Sequence, residues 1–314
     1  MSLRDVFCQD RAIGILQRGL AVDRPAHAYI FAGPEGVGKY KTAREWAKLL
    51  LCQKPDTKKD KSGAFADSCG SCEACTLLEA GLDVLVEKPM AADLASARRL
   101  IQAAQAGSRI LQVGHLERFN PAVMALKRST RLPLFFEVHR LSVFTPRSLD
   151  IDVVLDLMIH DLDIVLNLVG QLPQEIRAAG ISVLSPRVDI ANVRLAFPGG
   201  CVANLTASRV STERVRKLRM FQPGQYVSLD YSRQDAVVFQ VGEGRQIASG
   251  LLTVEKAEPL SRELESFLDA VETRSQPLVT GADACRALEV ALAILAKIEE
   301  HSRLIAQSLT AWES

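Results

Sequence analysis

Residues Asp150 to Leu168 read DIDVVLDLMIHDLDIVLNL, and the reading of this stretch decides the fold. On an α-helix, side chains three and four residues apart stack on one face. Asp152, Asp156, His160, Asp163 and Asn167 step by +4, +4, +3 and +4 and so share a single stripe. Nearly everything else in the stretch is Val, Leu, Ile or Met, which predicts that the remaining faces are buried. Such a stripe is either a solvated face or the wall of a polar cleft. Solvated faces normally carry Lys, Glu and Arg. This one carries short acids, an Asn and a His, which favours the cleft, with Asp156 and His160 as the pair to watch.

Working outward, a chain of 314 residues suggests about two domains and can bury a substantial core. A net charge of +1 predicts no strong global attraction to nucleic acid or to an anionic membrane. No apolar run approaches the ~20 residues a bilayer needs. The start, MSLRDVFCQDRAIG, lacks the apolar core of a signal peptide. A cytoplasmic location is therefore expected, where thiols stay reduced and a cysteine cluster means metal or catalysis. Of seven cysteines, four crowd into residues 52 to 75.

The first 78 residues carry two motifs. Asp10 to Leu20 reads as a helix with Ile13, Leu16 and Leu20 on one side, and His27 to Ala32 as a strand. The strand runs into GPEGVGKYKT and then a helix from Ala43 to Leu51. Gly33, Gly36, Gly38 and Lys39 give a phosphate-binding loop in the required strand–loop–helix context, with backbone N–H groups at a helix start to cradle phosphate. Its last position departs from the pattern, because Tyr40 stands where Ser or Thr should hold Mg²⁺. Phosphate contact is a better expectation than ATP hydrolysis. Beyond Cys52 comes a charged, Gly-containing stretch read as a loop, then Cys69, Cys72 and Cys75. Four thiolates so spaced can close a tetrahedral structural Zn²⁺ site. The alternative, a redox pair, would want a βαβ setting around it; structural zinc is favoured.

GPEGVGK followed by LLC and CGSCEAC resembles the N-terminal part of the delta-prime subunit of the bacterial DNA polymerase III clamp loader, over residues 1 to about 78. That resemblance implies an ATPase-like fold with an inserted zinc module on four Cys. It also implies a family in which many members have lost hydrolysis, in agreement with Tyr40.

From Glu79 the pattern changes. Asp83 to Val86 reads as a strand ended by Glu87-Lys88-Pro89, Leu94 to Ala106 as an amphipathic helix, and Ile110 to Val113 as a second strand before Gly114. Strand, helix, strand predicts a parallel pair with a right-handed crossover. Ligands of open α/β sheets sit beyond the carboxyl ends of strands, where Lys88 and His115 fall. EKP, GHLERFNP and the D-x-x-x-H of the opening helix, in this order, resemble the Gfo/Idh/MocA family of NAD(P)-dependent sugar oxidoreductases over residues 79 to 314. The resemblance implies that Glu87, Lys88 and Pro89 lie at the cofactor, often with a cis bond before the Pro, and that Lys88 also nears the substrate. It implies catalytic roles for Lys88, Asp156 and His160, and substrate contacts from His115, Arg118 and Asn120. The chemistry agrees: oxidising a secondary alcohol needs a base for the O–H proton, and imidazole suits that near neutral pH. Asp156 is expected to fix the His160 tautomer and Lys88 to stabilise a developing alkoxide.

Leu134 to Arg140, Glu175 to Leu184, Asp189 to Phe197, Cys201 to Arg209, Arg214 to Phe221 and Gln225 to Tyr231 read as strands of a sheet with one apolar face. Two helices close the chain, with Thr280 and Asp283 as a capping box, and Cys201 and Cys285 fall on apolar faces as core residues. The fold class is thus α/β plus α+β: a truncated, hybrid parallel α/β N-terminal region with a zinc module, then an α+β domain with a large, mainly antiparallel sheet. The expected segments are 1–78, the clamp-loader-like piece; 79–122, a remnant of a dinucleotide-binding domain; and 123–314, the substrate and oligomerisation domain. An exposed sheet face would allow a homo-oligomer, and no direct contact with nucleic acid or membrane is expected.

The likeness is nearest to members acting on nucleotide sugars, in GHLERFNPAV and in DIANVRLAF…GCVANLTASR, and implies the 3-hydroxyl of UDP-N-acetylglucosamine as target. A complete member opens with G-x-G-x-x-G and a ribose-binding acid. Nothing of this kind precedes EKP, so NAD or NADP is expected to bind weakly. Three readings stand together: a dehydrogenase by descent with a damaged cofactor site, a clamp-loader-like ATP- and zinc-binding module, and an inactive fusion product.

Overall fold

The computed structural model describes residues 3, 6, 9–21, 39–52, 56–60, 63–67, 83–145 and 151–313. The chain divides into two compact units, Met1–Leu82 and Asp83–Ser314.

In the first unit, α1 (Asp10–Ala21) and α2 (Lys39–Leu51) are followed by an antiparallel hairpin of β1 (Asp56–Asp60) and β2 (Gly63–Asp67). Leu3, Leu16, Trp46 and Leu49 form its small core, with Leu20 packed against them. The hairpin replaces the loop expected after Cys52. DTKKD has no apolar alternation from which a strand can be read. Lys39 opens α2 and Cys52 follows its end. The predicted strand His27 to Ala32, Gly33, Gly36 and Gly38 of the phosphate loop, and Cys69, Cys72 and Cys75 lie outside the described residues.

The second unit begins with β3 (Val84–Glu87), α3 (Leu94–Ala106) and β4 (Leu111–Gly114), the two strands pairing in parallel from Val84↔Leu111 to Glu87↔Gly114. Asp93 caps α3 by accepting a hydrogen bond from the Ser96 N–H at 2.8 Å. A 3₁₀ turn, Leu116–Phe119, leads into α4 (Pro121–Ser129). Asn120 caps α4 through the Ala122 N–H at 3.1 Å, with Pro121 in the first turn. After β5 (Phe135–Val143), the opening stretch forms one π turn, Val154–Met158, that continues into α5 (Ile159–Val169). Gly170, at φ +76°, ends α5 in the left-handed conformation that glycine adopts without strain.

The rest of the sheet follows: β6 (Glu175–Ile181), β7 (Ile190–Ala196), β8 (Val202–Ser211), β9 (Val215–Gln222), β10 (Gln225–Asp230), β11 (Asp235–Val241) and β12 (Ile247–Leu251). Two helices, α6 (Pro259–Thr273) and α7 (Gly281–Glu313), close the chain. The eight strands run in the order β12-β11-β10-β9-β5-β8-β7-β6. Neighbours are antiparallel except β5 and β8, which are parallel, so the sheet is mixed. β11 and β12 add to the six strands legible in the sequence.

One face of the sheet is the core. Phe136, Val138, Val193, Leu195, Ala203, Leu205, Leu218, Met220, Val227 and Leu229 alternate inward and meet Leu162 and Val165 of α5 and Ala291, Ile294 and Ile298 of α7. A second cluster joins Ala97, Leu111, Val113 and Phe119 to Ala284, Cys285 and Leu288 of α7. The short parallel pair is therefore not free-standing; α7 covers it. Cys201 and Cys285 are buried in these two cores. Among the described residues, no helix is long and apolar enough to cross a membrane.

Candidate active site

β3 delivers Lys88 at its carboxyl end, and the peptide bond between Lys88 and Pro89 is cis. The Lys88 ammonium donates a hydrogen bond to the Asp156 carbonyl at 2.6 Å and lies 3.7 Å from the Asp156 carboxylate. Asp156 sits in the π turn, a local widening of the helix that recurs at functional sites. His160 follows at the start of α5. Its ring meets that of His115, from the end of β4, edge to face with centroids 6.5 Å apart. Lys88, His115, Asp156 and His160, separate in sequence, are thus gathered at one place. Glu87 precedes them at the exposed end of β3. Its carboxylate lies so close to Gly114 that a Cβ there would come within 2.9 Å of it.

The electrostatics of this cluster disfavour protonation of its two imidazoles. Burial, followed by the charges of Arg140, Lys88, His115 and Arg216, keeps the His160 imidazole well below its ordinary pKa. Burial likewise lowers His115, whose two ring nitrogens have no hydrogen-bond partner. Burial also lowers the Lys88 ammonium, against the opposing pull of Asp156. An unprotonated imidazole beside a desolvated ammonium is a proton acceptor next to a hydrogen-bond donor.

The stripe predicted from the sequence divides into parts. Asp156 and His160 face the cluster, but Asp152 accepts a hydrogen bond from the Val188 N–H at 3.0 Å. Asp163 is buried and pairs with Arg118 at 3.3 Å. Asn167 lines a separate cavity of about 430 Å³ with Val123, Met124 and Leu278. Asp156 does not fix the tautomer of His160, contrary to expectation: the His160 Nδ1 is buried without a partner. The Asp156 carboxylate instead lies 3.7 Å from the Lys88 ammonium.

Arg118 and Asn120 reach the same loop but turn inward. Arg118 binds Asp163 and the Leu278 carbonyl, both at 3.3 Å. The Asn120 amide donates to the Tyr231 carbonyl at 3.1 Å and to Glu117 at 3.2 Å. The sequence reading missed Arg140. Fully buried on β5, it forms two hydrogen bonds to Asp161, at 2.7 and 2.9 Å, and one to Glu117 at 3.0 Å, with its guanidinium 5.1 Å from the centre of the Tyr231 ring. The available signal was an Arg at the inward position of the alternating run Phe136, Val138, Arg140, together with Asp161 off the polar stripe. Among the described residues no group of three or more His, Cys, Asp or Glu is placed to hold a metal ion.

In Asp83–Ser314 the residues that could receive a dinucleotide gather at the carboxyl end of β3. Lys88, the cis Pro89 and His160 would meet a nicotinamide and the hydroxyl it oxidises. Among the described residues of this unit, no strand, glycine-rich turn and helix for a pyrophosphate occurs.

The GFO/IDH/MocA C-terminal domain model matches residues 96–221, and the model for the DNA polymerase III delta subunit matches residues 8–98. The clamp-loader match thus runs past residue 78, where the resemblance was expected to stop. The UDP-N-acetylglucosamine 3-dehydrogenase of Acidithiobacillus ferrooxidans is 35% identical over 228 residues, 71% of this chain and 73% of that protein. Its solved structure superposes with a TM-score of 0.68 at 34% identity, covering 73% of this chain and 75% of that one. The DNA polymerase III subunit delta' of Pseudomonas aeruginosa is 39% identical over 117 residues, 32% of this chain and 33% of that protein. The α+β sheet domain is thus shared with a sugar oxidoreductase of known structure. The chain belongs to the GFO/IDH/MocA family, whose members depend on NAD(P), and carries a clamp-loader-like segment at its N-terminus.

Proposed function

We propose that this chain oxidises a secondary hydroxyl of a nucleotide sugar, the 3-hydroxyl of UDP-N-acetylglucosamine, with NAD or NADP held by an incomplete cofactor site. The observation that carries this reading is the convergence of Lys88, Asp156 and His160. His160, neutral near pH 7, accepts the hydroxyl proton. Lys88 donates a hydrogen bond to the oxygen as negative charge develops there, and Asp156 holds the ammonium in place. Nicotinamide, when bound, supplies the hydride acceptor. His115 packs on His160 and limits its rotation, while Arg118 and Asn120 brace the loop that presents His115.

The test is NADH or NADPH formation from UDP-N-acetylglucosamine by the wild type and His160→Ala. Loss of the general base should slow the reaction by roughly 10²–10⁴-fold; equal rates would sink the assignment. Dinucleotide binding, titrated by calorimetry, should be weaker than in the Acidithiobacillus ferrooxidans relative by several kcal/mol, because much of the contact surface is missing.

A second reading is favoured by the delta' match. In it, the N-terminal unit is a binding module built on Lys39 of the phosphate loop and a structural zinc on Cys52, Cys69, Cys72 and Cys75. Metal analysis should then give about one zinc per chain. Co-purification with a reconstituted clamp loader would favour this role; metal-free protein would reject the four-cysteine site.

A further inference from the structure

The cations around His160 are not equally neutralised. Lys88 has Asp156. Arg140 has both oxygens of Asp161 and one of Glu117. Arg216, directly opposite Arg140 in the β5–β9 register, is left over. It pairs only loosely with Glu117, at 3.9 Å, and that oxygen already accepts from Arg140 at 3.0 Å. The other Glu117 oxygen accepts from Asn120 at 3.2 Å. Among the described residues, Arg216 is thus the cation of this cluster without a carboxylate of its own. Its Nε is buried with no hydrogen-bond partner, while the side chain as a whole is 35% exposed.

The surroundings sharpen the point. Burial, and then the positive charge of Arg140, lower the Arg216 pKa, with Arg214 adding to the repulsion and Glu117 and Asp161 opposing it. Arg216 also lies close enough to His160 to depress its protonation. A guanidinium about one-third exposed, desolvated on one side and short of a counter-ion, suits an incoming anion. Its planar fork matches the oxygens of a phosphate. On the inner face of the sheet, next to Glu117 of the turn that follows His115, a phosphate held there would orient the sugar attached to it.

We propose that Arg216 is a substrate-binding residue that takes a phosphate group of the substrate and so selects a phosphate-bearing sugar over its neutral counterpart. This rests on the sugar-oxidoreductase reading above. Anchoring at a distance from the reacting carbon is binding energy that can be used for orientation.

Calorimetric titration of the whole chain with UDP-N-acetylglucosamine, UDP, N-acetylglucosamine and inorganic diphosphate tests it. The variants are Arg216→Gln, Arg216→Lys and, as a control on the opposite face of the same strand, Lys217→Gln. Near-ultraviolet circular dichroism and urea unfolding report whether each is folded. Arg216→Gln should weaken the nucleotide sugar, UDP and diphosphate by at least about tenfold. It should leave N-acetylglucosamine unaffected, Arg216→Lys should recover part of the loss, and Lys217→Gln should match the wild type. Wild-type affinity for the nucleotide sugar in a folded Arg216→Gln overturns the role of Arg216 and leaves the proposed function standing. Equal weakening of N-acetylglucosamine means a structural residue and also overturns it. Arg216-dependent binding of diphosphate without any sugar ligand supports the anion site and rejects the proposed function. A wild type that binds none of the four probes overturns both.

Discussion

Glu263 of α6 has both carboxylate oxygens buried and without a hydrogen-bond partner. Beside it, the Gln112 amide donates to the Glu263 backbone carbonyl at 3.0 Å rather than to its side chain. Burial, with the nearby charges of Glu87 and Glu258, pushes the carboxyl up from 4.5 to about 7. A carboxyl raised on folding favours the folded state below its unfolded pKa, and that advantage is lost as pH rises through the folded value. Glu263 should therefore weaken the fold progressively between about pH 4.5 and about pH 7. At about 1.4 kcal/mol per unit, the full effect is on the order of 3 kcal/mol. Glu263→Gln removes the charge and keeps the shape. Its stability relative to the wild type, by urea unfolding, should rise between about pH 5 and about pH 8; a constant difference would refute the assignment. His115 and His160 work in the opposite sense, because both are lowered by burial. Their contribution is present above about pH 6.5 and lost as pH falls through the folded values, and it cancels in the comparison. At this scale, Lys88, Asp156 and His160 were legible because each lies in a short motif with chemistry attached to its spacing. Arg140, Asp161 and Arg216 were not. The Arg140–Asp161 pair depends on a helix 21 residues away, and the placing of Arg216 opposite Arg140 on strand register, neither of which local patterns encode.

The helices announced themselves through their ends. Thr280 and Asp283 form the reciprocal cap seen in the sequence: the Thr280 N–H donates to the Asp283 carboxylate at 3.1 Å, and the Asp283 N–H donates to the Thr280 hydroxyl at 3.1 Å. Thr280→Val keeps the volume and deletes the hydroxyl. It should cost about 1 kcal/mol, read as a lower urea midpoint at unchanged slope; Thr280→Ser should recover most of that. An unchanged midpoint in Thr280→Val would mean that packing alone fixes the start of α7. Strands with one buried face, such as Ile190–Ala196, were equally legible because burial imposes alternation. β12 was not: all five of its residues are exposed, so nothing forces a pattern on IASGL. The π turn escaped for a related reason. A heptad-like count over Asp152 to Asn167 assumes a uniform pitch, and one wide turn leaves the composition unchanged while moving the side chains around the axis.

For the whole molecule, the sequence showed a seam near residue 80 because two unrelated patterns meet there, and the chain divides after Leu82. It also pointed to a sheet with one face left open. That face carries a row of rings across four strands: Phe135 against Phe221 at 5.8 Å, Phe221 stacked on Tyr226 at 4.7 Å, and Tyr226 stacked on Phe239 at 5.6 Å. Phe221 and Phe239 are more than one-third exposed, and Val241, Ile247 and Leu251 extend the apolar surface toward β12. Stacked rings in water gain further when a second apolar surface covers them, and patches of this kind mark sites of association. A second copy of the same sheet presents a matching row under twofold symmetry. Self-association through this face is therefore expected, with sedimentation velocity showing a species larger than one chain. Phe221→Asp places a charge in the middle of the row without touching the core and should shift the protein to a monomer at micromolar concentration. Its urea midpoint should stay near that of the wild-type subunit, since the side chain faces away from the buried layer. Unchanged sedimentation of Phe221→Asp would place the interface elsewhere, and a wild type that sediments as one chain would leave the aromatic row with no role in assembly.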